Sequence, residues 1–278
     1  VRLNLDVFTA CKVEVTEFCA NKEFGEARIL HCLWESSLSP KEREFSPECR
    51  TKVDKLTIRS LQDYRLDFGV RRQCADDIAQ HCGNEQSRVD NMTLAELFGG
   101  MDPDSGEYYR EGSSGQVLHC LKKKMGELSS DRCKSEMMRV VRIQAMHIEA
   151  SPILYRKCKA DIETHCKGLD PTRLHVCLRQ HLTELSEECK SAEILQGKVE
   201  STDMTLKPAL MAACSGAIKQ FCPDVPPGNA ALRRCVQDHM KDSGFPVQCK
   251  GAMIEDMQGS GRDWRMKWGI STHCRGEL

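Results

Sequence analysis

The cysteines of this chain recur at fixed intervals. Four pairs lie eight positions apart, in the segments "CKVEVTEFC", "CADDIAQHC", "CKADIETHC" and "CSGAIKQFC". The 17 cysteines form four sets of four and a single Cys274, and the sets are 11, 19, 32, 49; 74, 82, 120, 133; 158, 166, 177, 189; and 214, 222, 235, 249. From the last cysteine of each set to the next cysteine there are always 25 positions. Such fixed spacing indicates a repeat array, in which Cys274 is the first cysteine of a fifth repeat.

Apolar residues flank the first cysteine of each set with a helical period. They stand four positions before it (Val7, Val70, Leu154, Leu210, Ile270) and four positions after it (Val15, Ile78, Ile162, Ile218). Together with the cysteines they predict the buried stripe of an amphipathic helix. A second helix should carry the third cysteine, and in the third set Asp170 and Pro171 should open it. A third helix should follow Ser129 or Ser186, with the fourth cysteine in its first turn.

Little in the sequence suggests strands, so the predicted fold is all-α. It is a disulfide-stapled helical repeat array with about three short helices per unit. The predicted segments are repeat 1 at 1–66, repeat 2 at 67–150 with an insertion at 83–119, repeat 3 at 151–206, repeat 4 at 207–266, and the start of a truncated repeat 5 at 267–278. Because stacked repeats contact mainly their neighbours, we expect an elongated molecule.

Helix geometry restricts which cysteines can pair. Two cysteines eight apart on one helix are separated by about 12 Å along its axis, whereas a disulfide requires Cα atoms about 4.4–6.8 Å apart. Each cysteine must therefore pair with a cysteine on another helix. Two schemes remain: first with third and second with fourth, or the nested scheme, which pairs first with fourth and second with third. We favour the nested scheme because the second cysteine lies near the first turn. It pairs Cys11 with Cys49, Cys19 with Cys32, Cys74 with Cys133, Cys82 with Cys120, Cys158 with Cys189, Cys166 with Cys177, Cys214 with Cys249, and Cys222 with Cys235.

The cysteine content also indicates a compartment. Seventeen cysteines beside eight Phe, four Tyr and three Trp suggest small units that rely on disulfides rather than on large cores. We therefore expect a secretory or extracellular setting. Lys and Arg total 40 against 41 for Asp and Glu, so no net field favours nucleic acid. The chain begins at Val1 without a signal-like segment, and we expect it to be an internal piece of a longer protein.

Motifs for catalysis or metal binding are missing from the sequence. There is no G-x-S-x-G, H-E-x-x-H or phosphate-binding glycine loop, so we predict that the chain is not an enzyme and needs no cofactor. "HC" pairs recur at His31, His81, His119 and His165, but no C-x2-C or C-x4-C accompanies them. Structural zinc sites usually place two ligands that close together. We therefore predict no metal site and interpret these histidines as partly exposed neighbours of bridged cysteines.

Repeat 2 differs from the others. Its second and third cysteines are separated by 37 residues, and this insertion contains the glycosylation sequon "NMT" at Asn91. Lys122, Lys123 and Lys124 follow its third cysteine, and Arg71 and Arg72 precede its first. These five side chains are the candidate ligand-binding residues, for an acidic partner or a sulfated glycan. The alternative interpretation is a solvated helix face.

The segments "DYRLDFGVRRQCADDIAQHC", "VLHCL" and "ELSSDRCK" resemble the repeat of the Golgi apparatus protein 1 family, also called the cysteine-rich fibroblast growth factor receptor and E-selectin ligand. The resemblance covers the whole chain. It implies a Golgi membrane glycoprotein with a long lumenal array and a membrane span outside this segment. We therefore expect this segment to lie in the Golgi lumen or at the cell surface.

For this chain the resemblance implies a non-enzymatic binding or trafficking scaffold for fibroblast growth factors or other secretory-pathway ligands. An adhesion module that carries glycans, secreted or at the cell surface, is the first alternative. The second is an enzyme with a scattered active site.

Overall fold

The structure, a computed structural model, describes residues 5–38, 45–92, 115–274 and 276–277. These residues form sixteen α helices and five short 3-10 helices, with no strand among them, and they confirm the predicted all-α fold. The α helices are α1 Leu5–Ala10, α2 Lys12–Phe18, α3 Arg28–Ser37, α4 Pro47–Ser60, α5 Phe68–Gln73, α6 Ala75–His81, α7 Gly83–Asp90, α8 Gln116–Lys123, α9 Asp131–Met146, α10 Pro152–His165, α11 Leu174–Gln180, α12 Glu187–Glu200, α13 Pro208–Phe221, α14 Ala231–Asp238, α15 Val247–Gly261 and α16 Trp268–His273.

The helix predicted around the first cysteine is continuous in repeats 3 and 4, as α10 and α13. In repeats 1 and 2 it is divided at Cys11 and Cys74, whose φ angles of −109° and −104° lie outside the helical range. The i to i−4 hydrogen bonds nevertheless continue through Cys11, because its N–H binds Val7 O at 2.9 Å and its carbonyl accepts from Val15 at 2.8 Å. The division is therefore a local kink in one helical path.

The second helix of the repeats begins in two ways. Ala27, Gly115 and Ala230 precede it with φ values of 57°, 76° and 52°, in the left-handed region. In repeat 3 the predicted opening is present, since the Asp170 carboxylate accepts from Thr172 N at 2.9 Å. A 3-10 turn at Pro171–Arg173 then leads into α11.

The third helix places the fourth cysteine in its first turn, as predicted. Ser46, Ser130 and Ser186 each accept a hydrogen bond from the cysteine N–H three positions later, at 3.3 Å. The prediction of Ser129 as the helix start is wrong by one residue, because Ser129 binds Asp77 instead. These helices have 14 to 16 residues and extend well into the 25-residue intervals, so they are not short.

Eight disulfides join the same pairs as the nested scheme. Bridges between the first and fourth cysteines span Cα–Cα distances of 4.5–4.8 Å, and those between the second and third span 5.9–6.2 Å. Each bridge begins and ends within one predicted repeat, and the two classes keep their geometry from repeat to repeat.

The chain divides into two compact units, one at 1–137 with 150–153 and the other at 138–149 with 154–278. The second unit contains two apolar clusters, one built around the disulfides of repeat 3 and one around those of repeat 4. Met266 belongs to the repeat 3 cluster, and it fits there because Gly197 has no side chain: a Cβ would lie 2.6 Å from the Met266 sulfur. No described helix is both long and apolar enough to cross a membrane. The predicted repeat boundaries stay predictions.

Candidate functional site

The arginines of the predicted ligand-binding cluster lie in the last turn of α5. Arg71 and Arg72 are exposed, and their guanidinium groups lie 5.6 and 5.8 Å from the centre of the Phe68 ring. Arg72 also forms an ion pair with Glu26. Arg71 is therefore the arginine whose charge is more available to a partner.

The lysines of the same cluster differ in exposure. Lys122 is only 2% exposed, because it lies two positions after the third cysteine, where repeats 1 and 3 place the inward-facing Trp34 and Arg179. Lys124 pairs with Glu127 at 2.9 Å, and Lys123 is exposed. The structure does not present Lys122 to a partner, and Lys123 is the most exposed lysine of the three.

Asn91 lies at the C-terminal end of α7 and is exposed. Its N–H binds Ser87 O at 3.3 Å, so the backbone completes the helix while the side chain stays accessible. The sequon threonine and most of the insertion, residues 93–114, lie outside the described residues. Glycosylation at Asn91 stays a prediction.

A buried carboxylate connects the first and third helices in repeats 1, 2 and 3. It lies three positions after the first cysteine and accepts hydrogen bonds from a serine just before the third helix. The bonds are Ser46 N to Glu14 at 3.1 Å, Ser129 N and Oγ to Asp77 at 2.7 and 2.9 Å, and Ser186 N and Oγ to Asp161 at 2.9 and 2.7 Å. We call this arrangement the carboxylate clamp.

Repeat 4 lacks both halves of the clamp. Ala217 replaces the acid and Pro246, which has no N–H, stands at the serine position. Because repeat 4 lacks the acid as well as the serine, no carboxylate is buried at this place without hydrogen-bond donors. In repeat 2, burial by itself raises the pKa of Asp77, but hydrogen bonds from Ser129 and Ser130 outweigh it and hold that pKa below its usual value. The clamp was missed in the sequence, although an acid three positions after the first cysteine signals it.

Repeat 3 contains a buried ionic network around His175. Its Nδ1 lies 2.8 Å from Glu193 Oε2 and its Nε2 lies 2.9 Å from the Gln144 carbonyl. Both neighbours are acceptors, so both ring nitrogens donate and the imidazole is charged. Burial by itself lowers the pKa of His175, but the charge and hydrogen bond of Glu193 outweigh it and raise that pKa above its usual value.

Arg179 completes this network. Its Nε lies 2.7 Å from Glu193 Oε1 and its Nη2 lies 2.8 Å from Glu200 Oε2. Burial by itself raises the pKa of Glu193, but His175 and Arg179 outweigh it and lower that pKa. Two acids and two cations therefore compensate one another within the protein interior, as buried charges require.

A cavity of about 800 Å³ lies beside this network, among α11, α13 and α15. Its acids already have cationic partners. The pairs are Glu200 with Arg179, Glu255 with Arg173 at 2.7 Å, and Asp256 with Lys207 and with Arg233, the latter at 2.9 Å. Burial by itself raises the pKa of Asp256, but Lys207 and Arg233 outweigh it and lower that pKa to about 2. The cavity thus has the charge pattern of structural ion pairs rather than of a poised general base.

Comparisons with known proteins agree with these repeated features. The profile of a family described as "Cysteine rich repeat" matches residues 1–40, 47–129, 131–186 and 187–244. Golgi apparatus protein 1 of Homo sapiens is 24% identical over 284 residues, which are 99% of this chain and 22% of the human protein. The Gallus gallus protein of that name is 25% identical over 287 residues, 99% of this chain and 23% of its own length. The Golgi apparatus protein 1 homolog of Caenorhabditis elegans is 27% identical over 290 residues, again 99% and 23%.

The chain therefore spans less than a quarter of the length of these curated relatives. No solved structure matches it. The relatives are Golgi apparatus proteins, in agreement with the predicted location in the Golgi lumen or at the cell surface. Because the matched segments cover well over half of the chain, it belongs to the cysteine-rich repeat family.

Proposed function

We propose that this chain is a non-enzymatic binding and trafficking scaffold of the secretory pathway. The observation that carries the proposal is the likeness of equivalent positions across the repeats. The same two classes of disulfide occur in all four, and the carboxylate clamp occurs in three. A scaffold needs such a repeated rigid frame, because stacked repeats offer long surfaces for docking.

The ionic pairing around the cavity also favours a scaffold over an enzyme. A general base needs a carboxylate or imidazole that can exchange protons with a substrate near the working pH. Glu255 and Asp256 instead accept hydrogen bonds from Arg173, and from Lys207 and Arg233. These contacts hold the helices together, and they occupy the carboxylates that a substrate would otherwise have to engage.

The ligand class follows from the family resemblance rather than from a pocket. We propose that the ligand is a fibroblast growth factor or another secreted protein with an acidic or sulfated surface. We also propose that this ligand contacts Arg71 and Lys123. Both side chains are exposed and cationic, and both belong to repeat 2, which carries the insertion. Loops and charges added to a rigid repeat often mark recognition sites.

Capture of heparin or a fibroblast growth factor on an immobilised chain tests this proposal. The variant Arg71→Glu with Lys123→Glu should weaken capture at low salt, whereas the parent's capture should weaken as salt rises because exposed charges are screened. The matched control is Lys219→Glu with Lys250→Glu, which makes the same charge change at two exposed lysines of repeat 4. Equal capture by both double variants would contradict the contact at repeat 2, and no capture by the parent would contradict the ligand class.

A second candidate function is that of a glycan-bearing adhesion module, favoured by the exposed Asn91 at the end of α7. Expression in a secretory host should then add a glycan that an endoglycosidase removes. The Asn91→Gln variant should lack this mass. An adhesion role further requires that the glycosylated chain, and not the variant, binds a lectin domain.

A further inference from the structure

Two histidines and a glutamate converge at one end of repeat 3. His165 is the last residue of α10, His181 follows α11, and Glu184 lies one turn further on. The imidazole rings are stacked, with centres 4.9 Å apart. His165 Nδ1 lies 3.7 Å from Glu184 Oε2, and His181 Nδ1 lies 3.3 Å from each carboxylate oxygen. One ligand atom from each residue falls within 4.8 Å of the other two.

These separations suit a metal ion better than direct hydrogen bonds. Zinc binds imidazole nitrogen and carboxylate oxygen at about 2.0–2.1 Å in a tetrahedron, so its ligand atoms are about 3.3 Å from one another. The observed 3.3 Å matches such an edge, and 3.7 Å is a few tenths of an ångström longer. A hydrogen bond from imidazole to carboxylate is shorter, commonly about 2.7–2.9 Å when charged.

The framework holds these ligands before any ion arrives. His165 is adjacent to Cys166, and His181 lies one turn after Cys177, so the disulfide between these cysteines fixes both histidines. All three ligand side chains are at least partly exposed, so an ion from solvent can reach them. A fixed and accessible ligand set lowers the ordering cost of binding.

Repeat 4 provides a natural comparison. Its equivalent residues are Phe221, His239 and Asp242, with Phe221 stacked on His239 at 5.2 Å. His239 Nδ1 lies only 2.6 Å from the Asp242 carboxylate, a direct hydrogen bond. With one histidine replaced by phenylalanine and the remaining pair closed up, repeat 4 has no three-ligand set at this place.

We propose that His165, His181 and Glu184 form a zinc-binding site. Three protein ligands leave the fourth tetrahedral position for water or for a side chain of a bound protein, as in open zinc sites. The sequence motifs did not predict it, because the histidines are 16 positions apart, one at the end of α10 and the other in the turn after α11. The proposal is independent of the proposed function.

Calorimetric titration with zinc and visible absorption with cobalt(II) test the site. The protein should be the full disulfide-bonded chain carrying Cys274→Ser, because the free thiol of Cys274 is a competing ligand. We expect one ion per chain and the intense absorption of tetrahedral cobalt. His165→Phe, which copies repeat 4, and Glu184→Gln should each weaken zinc binding at least about tenfold, in line with the effect of disturbing zinc coordination.

The matched control is His239→Phe, which removes a histidine of repeat 4 and should leave zinc binding unchanged. Unchanged helical circular dichroism in all variants shows that the fold is intact, and the exposed Glu184 can be replaced without disturbing the core. No saturable zinc binding by the parent would overturn the proposal. So would equal binding by the parent and either site variant, or a loss of binding in the control as large as theirs.

Discussion

Glu193 occupies a residue position that is apolar in the other repeats. Four positions after the fourth cysteine, repeats 1, 2 and 4 place Val53, Met137 and Met253, all fully buried, and Glu193 is equally buried. Its partner His175 likewise stands where repeat 1 has Leu30. A buried charge pair often contributes less to stability than a well-packed apolar pair, whereas loss of one partner is costly.

We therefore expect Glu193→Met to lower the free energy of unfolding by about 3 kcal/mol, because His175 and Arg179 lose a shared partner. Adding His175→Leu should recover part of this loss, since both positions then carry side chains that other repeats use. Urea unfolding of the parent, the two single variants and the double variant measures the coupling. A double variant whose loss equals the sum of the single losses would contradict the idea that the two residues act as a pair.

Acid should weaken the Asp256 ion pairs. The pKa of Asp256 is lowered to about 2 in the folded chain, below its ordinary value. A lowered pKa means stability that is present above the unfolded pKa of about 3.9 and is lost as the pH falls towards 2, worth about 2–3 kcal/mol. Asp256→Asn should therefore be less stable than the parent at pH 7, and the two should converge between pH 4 and 2. Asp224→Asn, at an exposed acid, should follow the parent throughout.

At the scale of helices, the carboxylate clamp is the contact that orients the third helix of a repeat against the first. Asp161 accepts two hydrogen bonds from Ser186, from the backbone N–H and from the hydroxyl. Asp161→Ala should therefore lower the free energy of unfolding by about 1–3 kcal/mol, because the N–H and hydroxyl of Ser186 lose a charged acceptor. Glu163→Ala, an exposed acid on the same helix, should have little effect in the same chemical denaturation. Equal losses would show that Asp161 acts only through helix propensity.

The disulfides should stabilise a repeat unequally. In repeat 3 the bridge Cys158–Cys189 closes a separation of 31 residues and Cys166–Cys177 one of 11. The chain-entropy estimate makes the longer loop worth about 1 kcal/mol more. Replacing both cysteines of each bridge by serine and comparing the unfolding free energies checks this, and a larger loss from the shorter loop would contradict the estimate.

Helix geometry made most of the helices and the disulfide pairs predictable from the sequence. The cysteine intervals and the apolar residues around them predicted the helices. An eight-residue interval excluded a bridge within one helix, and the place of the second cysteine near the first turn favoured the nested pairs. The burial of Lys122 and the kink at Cys11 were not predictable, because they depend on which neighbouring helix packs against that position. The proposed zinc ligands were not predictable for the same reason, because His165 and His181 come together only through the disulfide Cys166–Cys177.

At the scale of the whole molecule, the repeat pattern predicts an elongated particle. A compact single domain of this length has a radius of gyration of about 19 Å. Small-angle scattering of the chain should give a larger value if each repeat contacts mainly its neighbours. A radius of gyration near 19 Å would contradict the elongated particle. The third helices and their connecting turns would then have to fold the array back so that non-adjacent repeats are in contact.

Every described disulfide joins two cysteines of the same repeat. A repeat can therefore be gained or lost in the gene as an independent unit. Duplication or deletion of a complete repeat in the gene adds or removes two whole bridges, and it leaves no cysteine of the remaining repeats without its partner. Bridges between repeats would have made each such event produce unpaired thiols in an oxidising compartment. The pairing pattern thus lets an array change its length during evolution while each new copy folds as the old ones did.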